Sequence, residues 1–216
     1  MLSSSKIGAV FALSGFLSGI LIVPLALLWM PFVFTSEGVL FALGFGVAYL
    51  SCRRILPRIG PLRFWGALLA LAIGYPVAIG FGGALSLASE FMLQGAMKMT
   101  PALQDAGPLM ILAFMLLWGS LAAALFIQMA LVLITAEWDN RILLWLAIAA
   151  VGTAVLSTVI YSFFYNSADP TITHYREFAL FGVLAPVGNA ALNAVCAQAI
   201  LRAHRAELAL AAARQF

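Results

Sequence analysis

Apolar residues in this chain fall in long, nearly unbroken runs, unlike the short alternations of a strand or the one-sided stripes of a surface helix. Six runs stand out, at 7–30, 38–52, 64–91, 109–135, 142–165 and 178–201. A helix needs about 20 mostly apolar residues to cross roughly 30 Å of hydrocarbon. All but the second run reach that length. Thr35-Ser36-Glu37 ahead of the second reads as a helix-start cap that lengthens it by a turn. Turn and breaker residues separate the runs: Pro31; Pro57, Gly60 and Pro61; Pro101, Gly107 and Pro108; Asp139-Asn140; Asp169-Pro170. The first run follows Lys6 but far exceeds the roughly 7–15 apolar residues of a signal peptide, so it reads as an uncleaved membrane helix. The pattern predicts an all-α polytopic transmembrane bundle of six spans, one transmembrane domain over 1–216, with 202–216 as a short cytoplasmic tail.

Composition strengthens this picture. Of 216 residues, 64% are hydrophobic and 9% charged, whereas a soluble domain carries about 25% charged residues. Too little polar surface remains to cover a soluble core, so lipid is the expected solvent. The net charge of +3 follows from basic residues gathering in cytoplasmic loops. With both termini inside, the inner segments hold Lys6, Arg53, Arg54, Arg58, Arg63, Arg141, Arg202, Arg205 and Arg214, and the outer ones only Lys98 and Arg176. Trp65, Trp138 and Trp145 fall at the inner boundary, and Trp29, Tyr165 and Tyr175 at the outer one, as interfacial anchors do. The expected location is a bacterial cytoplasmic (inner) membrane, with both termini cytoplasmic. Cys52 and Cys196 lie too far apart for a disulfide framework and read as small apolar fillers.

The run order suggests a weak 3+3 inverted repeat. Each half has a short turn, then a longer loop, then a run with a central proline: Pro76 in the third and Pro186 in the sixth. Chance placement of common membrane-helix residues is the alternative. Both prolines are candidate hinges.

Polar residues inside the runs are the candidate chemistry. At 1.5 Å per residue, Asn189 lies about 17 Å into the sixth run, near mid-depth, with Asn193 one turn on and Cys196 on the same face. Thr153 and Ser157 form a stripe in the fifth run, Ser14 and Ser18 in the first, and Ser120, Ala124 and Gln128 in the fourth. Tyr75 sits beside Pro76. An amide in hydrocarbon needs partners, so Asn189 and Asn193 should face the interior, either as interhelical glue or as part of a solute path. Small residues at Ser14-Gly15, Ser18-Gly19, Ala78, Gly82 and Ser86 allow close helix approach.

No Asp, Glu, Lys, Arg or His is expected near mid-depth, which argues against proton-coupled transport and intramembrane proteolysis. Neither a Walker loop, a dinucleotide glycine pattern nor zinc-ligand spacing occurs. No cofactor, metal or nucleic acid is implied, and an enzyme is the less favoured reading. Two loop clusters remain. Outside, Asp169, His174 and Glu177 could form an interfacial acid–base or metal site, or a solvated loop with its own ion pairs. Inside, Arg53, Arg54, Arg58 and Arg63 suit anionic lipid headgroups, though topology alone explains them. The expected function is a small transporter or permease for a neutral or weakly polar solute or ion. The alternatives are a non-catalytic subunit or assembly factor of a larger membrane complex, and then an interfacial lipid-acting enzyme. Expected partners are membrane lipids, with further copies of the chain or other membrane subunits.

Overall fold

The computed structural model describes the backbone of residues 4–24, 30–97, 102–165 and 170–214, and the side chains of 4–24, 36–88, 110–163, 182 and 185–214. All regular structure among them is helical: α1 (Ser4–Ile20), α2 (Met30–Cys52), α3 (Pro61–Met97), α4 (Ala102–Thr135), α5 (Asn140–Tyr165) and α6 (Pro170–Ala213). Four stretches are long and apolar enough to cross a membrane, namely Ser4–Pro24, Pro61–Ala88, Met110–Thr135 and Asn140–Phe163. Ser36–Cys52 is a shorter apolar helix. These helices mark an integral membrane protein.

The second helix departs from the sequence expectation. It begins at Met30, not at residue 38, with Pro31 in its first turn. A helix's first N–H groups have no intrahelical partner, so proline opens the helix there without losing a bond. Thr35-Ser36-Glu37 is therefore helix interior, not a cap. At the other end of the chain, α6 runs on unbroken through most of the expected tail, carrying exposed Leu208 and Leu210.

Adjacent helices are antiparallel, and glycines mark where they touch. On α1, a Cβ at Gly15 would stand 2.6 Å from Asn193 Nδ2, and one at Gly19 would strike the Ala185–Pro186 backbone of α6. On α3, a Cβ at Gly74 would stand 2.7 Å from Phe126 Cβ, and one at Gly82 2.6 Å from Gly119 N, both on α4. Ser86 Oγ donates to Ile111 O at 2.9 Å further along the same pair. Such contacts matter because lipid offers no hydrophobic drive between helices, which leaves close packing and hydrogen bonds to hold them. Each helix packs on its sequence neighbours and α6 returns to pack on α1, closing a ring in chain order. α6 also reaches across to α4 and α2.

Apolar side chains point outward as well as inward. On α5, Ile142, Leu146, Ala150, Thr153 and Ser157 are buried, whereas Leu144, Trp145, Ile148, Val155, Val159 and Phe163 are exposed. That helix is apolar all round, as a membrane span is. The α4–α5 turn is tightly made. Ala136 adopts φ 61°, and the Asp139 carboxylate accepts from the Arg141 N–H at 2.8 Å to cap α5. Arg63 at the start of α3 donates from Nε to Leu133 O at 2.7 Å, holding the last turn of α4.

Candidate functional site

The site begins with a missing hydrogen bond. Pro76 has no N–H, so the Ala72 carbonyl one turn back loses its helical partner. Gly38 of α2 packs onto that carbonyl. A Cβ at Gly38 would collide with it and stand 3.0 Å from both Pro76 Cδ and Tyr75 Cβ. This close approach carries the neighbouring residue, Glu37, up to Tyr75, whose hydroxyl donates a hydrogen bond to the Glu37 carboxyl. Glu37 is 2% exposed.

Glu37 and Tyr75 form one side of a cavity of about 90 Å³. Ala78 and Ile79 continue the α3 wall. α4 contributes Met115, Leu116, Gly119, Ser120 and Ala123, α5 Ala150 and Thr153, and α6 Gly188, Asn189 and Leu192. At about 30 Å³ per water in the liquid, the space suits about three waters or one small solute. The lining is mostly apolar, with a few polar groups converging, as in small-molecule sites. Gly188 makes room for Thr153, whose methyl would stand 3.2 Å from a Cβ there. The Thr153 hydroxyl donates back to Ala149 O at 2.7 Å. Asn189 is buried, and its Nδ2 has no partner.

Glu37 is an ionisable side chain that the expected list of interior polar groups leaves out: it is buried and lines the cavity. It shares the cavity with Asn189 and Thr153, both in the middle of their helices. Placing Glu37 in a cap put it at a helix end; the earlier start at Met30 moves it well inside.

The candidate path residues divide into two groups. Tyr75, Thr153 and Asn189 line the cavity, as does Ser120. Asn193, Ser157 and Ser18 are buried but do not line it. Neither amide atom of Asn193 has a partner, and the Ser157 hydroxyl has none. Ser18 Oγ bonds its own helix at Gly15 O, 2.8 Å away, and Ser14 Oγ crosses to Gly44 O of α2 at 2.7 Å. Pro76 borders the cavity through its neighbour Tyr75, whereas Pro186 lies under Gly19 at the α1–α6 contact.

A second hollow opens where the end of α4 meets the start of α5 and the later half of α6. Gln128, Thr135, Glu137, Asp139, Ile142, Ala199 and Arg202 are among its lining, and Gln128 Oε1 is buried without a partner. Ile127, Leu146 and Cys196 lie between this groove and the cavity, and all three are buried. Cys52 and Cys196 are both free and buried. The α2–α3 loop forms a separate open groove walled by Arg53, Arg54 and Arg58, where the Tyr49 hydroxyl donates to Pro57 O. Asp169 lies outside the described residues, and so do the side chains of His174 and Glu177 on α6. Comparison of the chain with protein-family models, curated proteins and solved structures returns no match.

Proposed function

We propose that the protein is a small transporter or permease-type membrane protein that takes a small polar solute or ion into the Glu37–Asn189 cavity. The observation that carries this reading is the pocket itself, walled by α2, α3, α4, α5 and α6 and holding a buried carboxyl and an unpartnered amide. Buried polar groups in a membrane bundle are costly, and they mark substrate or ion paths. In this reading all six helices span a bacterial inner membrane, with both termini inside. Two inverted halves of three helices, each closing on a proline-bearing third helix, supply the two sides that rock against each other. The inner groove beneath Leu146 is then the cytoplasmic mouth.

A subunit that serves partner helices would turn its small residues toward lipid. Gly80, Gly83, Gly152 and Gly182 do face open space, whereas Gly15, Gly19, Gly38, Gly44, Gly74 and Gly82 are filled against neighbouring helices of the same chain, and the larger set favours the transporter. The test is uptake into proteoliposomes across a panel of small neutral and charged solutes. Uptake that Asn189→Leu abolishes while the protein still folds and inserts supports the reading. The absence of uptake for every solute, with a stoichiometric partner recovered from native membrane, would sink it in favour of the subunit.

A further inference from the structure

Among the described residues the cavity holds an acid without a base: no Lys, Arg or His side chain lines it. The titratable group facing Glu37 is Tyr75 of α3, while the linings from α4, α5 and α6 carry only Ser120, Thr153 and Asn189 as polar residues. Tyr161 of α5 packs in the adjacent layer, against the cluster of Ile22 and Ala185. A lone carboxylate in apolar surroundings is costly unless something balances its charge. Two neutral arrangements satisfy Glu37: a proton on the carboxyl, or a cation beside it.

The rest of the wall selects among cations. A bare metal ion needs about six oxygen ligands, and here Ala78, Ile79, Met115, Leu116, Ala123, Ala150 and Leu192 cover most of the surface. Such a wall suits hydrocarbon behind a charged head. The unpartnered Nδ2 of Asn189 is a donor, so a bridging water, not the cationic head, satisfies it. The pocket measures about 90 Å³ and is open on one side, so a short alkyl chain can lie along it with its end projecting, where a closed space of about 150 Å³ holds benzene whole.

We infer that the Glu37 cavity binds a small alkylammonium-type cation and that the cation displaces the Glu37 proton as it enters. This rests on reading the cavity as the solute site and narrows the solute to one class. The exchange balances: one positive charge enters against the carboxylate, and one proton leaves to solvent. Tyr75 remains hydrogen-bonded to the carboxyl in both arrangements.

The experiment is calorimetric titration of the purified full-length protein in detergent with n-butylammonium, and with n-butanol as its neutral counterpart. A pH indicator in weak buffer counts protons. The expected result is saturable butylammonium binding with about one proton released per cation, and binding about tenfold or more weaker for butanol and for Glu37→Gln. Equal binding of the two probes, full binding by a folded Glu37→Gln, or binding without proton release would each overturn the inference. The comparison of the two probes on the unmodified protein decides the matter even where the variant does not fold. Cation binding with proton release but no uptake in proteoliposomes would keep this site and overturn transport. Uptake of a neutral solute with no butylammonium binding would do the reverse.

Discussion

The Tyr75 hydroxyl donates a hydrogen bond to the Glu37 carboxyl across the α2–α3 contact, and backbone chemistry at the next residue of each helix makes that contact close enough. Pro76 leaves the Ala72 carbonyl unpaired, and Gly38 fills the space against it. A donor is thus bound to the acid on one side, while the cavity stays open on the other.

Gly38→Ala tests this arrangement. Its methyl would meet Ala72 O and lie within 3.0 Å of two further atoms, all of them backbone or stiff side chain. The helices must separate, at about 1–3 kcal/mol as for other overpacked sites, which draws Glu37 away from Tyr75. A lowered melting temperature in detergent is expected, together with loss of butylammonium binding. Tyr75→Phe removes only the donor, at about 1 kcal/mol, and should keep the fold. A Gly38→Ala variant that melts and binds like the unmodified protein would show that the α2–α3 approach is unimportant.

Gly15→Ala strikes the α1–α6 contact, where the new methyl would stand 2.7 Å from the Asn189 carbonyl carbon and 2.6 Å from Asn193 Nδ2. Because Asn189 lines the cavity, any shift of α6 should also be felt there. We expect about 1–3 kcal/mol of destabilisation and weaker cation binding, whereas Gly60→Ala, with nothing within 4 Å of its Cβ, should be silent. Chemical unfolding in mixed micelles compares the two directly.

Leu146 is fully buried and sits one turn from cavity-lining Ala150 and one turn from groove-lining Ile142, positions about 12 Å apart along α5. Cutting it to alanine opens a gap on this line, at about 2–5 kcal/mol. Buried, unreactive Cys196 then becomes a reporter. In a Cys52→Ser background, a membrane-impermeant thiol reagent should label Cys196 of Leu146→Ala far faster than in the Leu146 protein. Equal, slow labelling in both would mean that cavity and groove are not neighbours along one path.

The helical character and apolar lengths were legible because a membrane span is written in local hydropathy alone. Mid-helix Asn189, Thr153 and Tyr75 could also be read, since depth follows from counting residues along a helix. Glu37 could not be placed that way. Its position depends on where α2 starts, and Thr35-Ser36-Glu37 carries the same signal as an N-cap. The competing signal was Pro31, a residue suited to the first turn, followed by apolar Phe32, Val33 and Phe34. Reading Pro31 as an opener instead of a stop would have put Glu37 inside the helix. The separation of Asn189 from Asn193 was beyond sequence reasoning: one turn apart on a single face, they differ in what the other helices leave open.

Ala136 offers a test of the α4–α5 turn that leaves the cavity alone. Its φ of 61° lies in the left-handed region, which costs a residue with a Cβ about 1–2 kcal/mol. The conformation lets the Ala136 N–H reach Val132 O at 2.8 Å and turns the chain toward Asp139, which caps α5. Thr135 Oγ1 supports the same turn by donating to Leu131 O at 3.0 Å. Glycine meets no such cost at φ 61°, although it adds freedom to the unfolded chain worth about 0.4–1 kcal/mol. The balance favours Ala136→Gly by about 0.5–1 kcal/mol, visible as a higher unfolding midpoint in mixed micelles. Butylammonium binding should not change, because Glu37, Tyr75 and Asn189 lie several turns away. A lower midpoint would mean that this turn relaxes in the membrane-like environment and that the end of α4 and the start of α5 are not held as described.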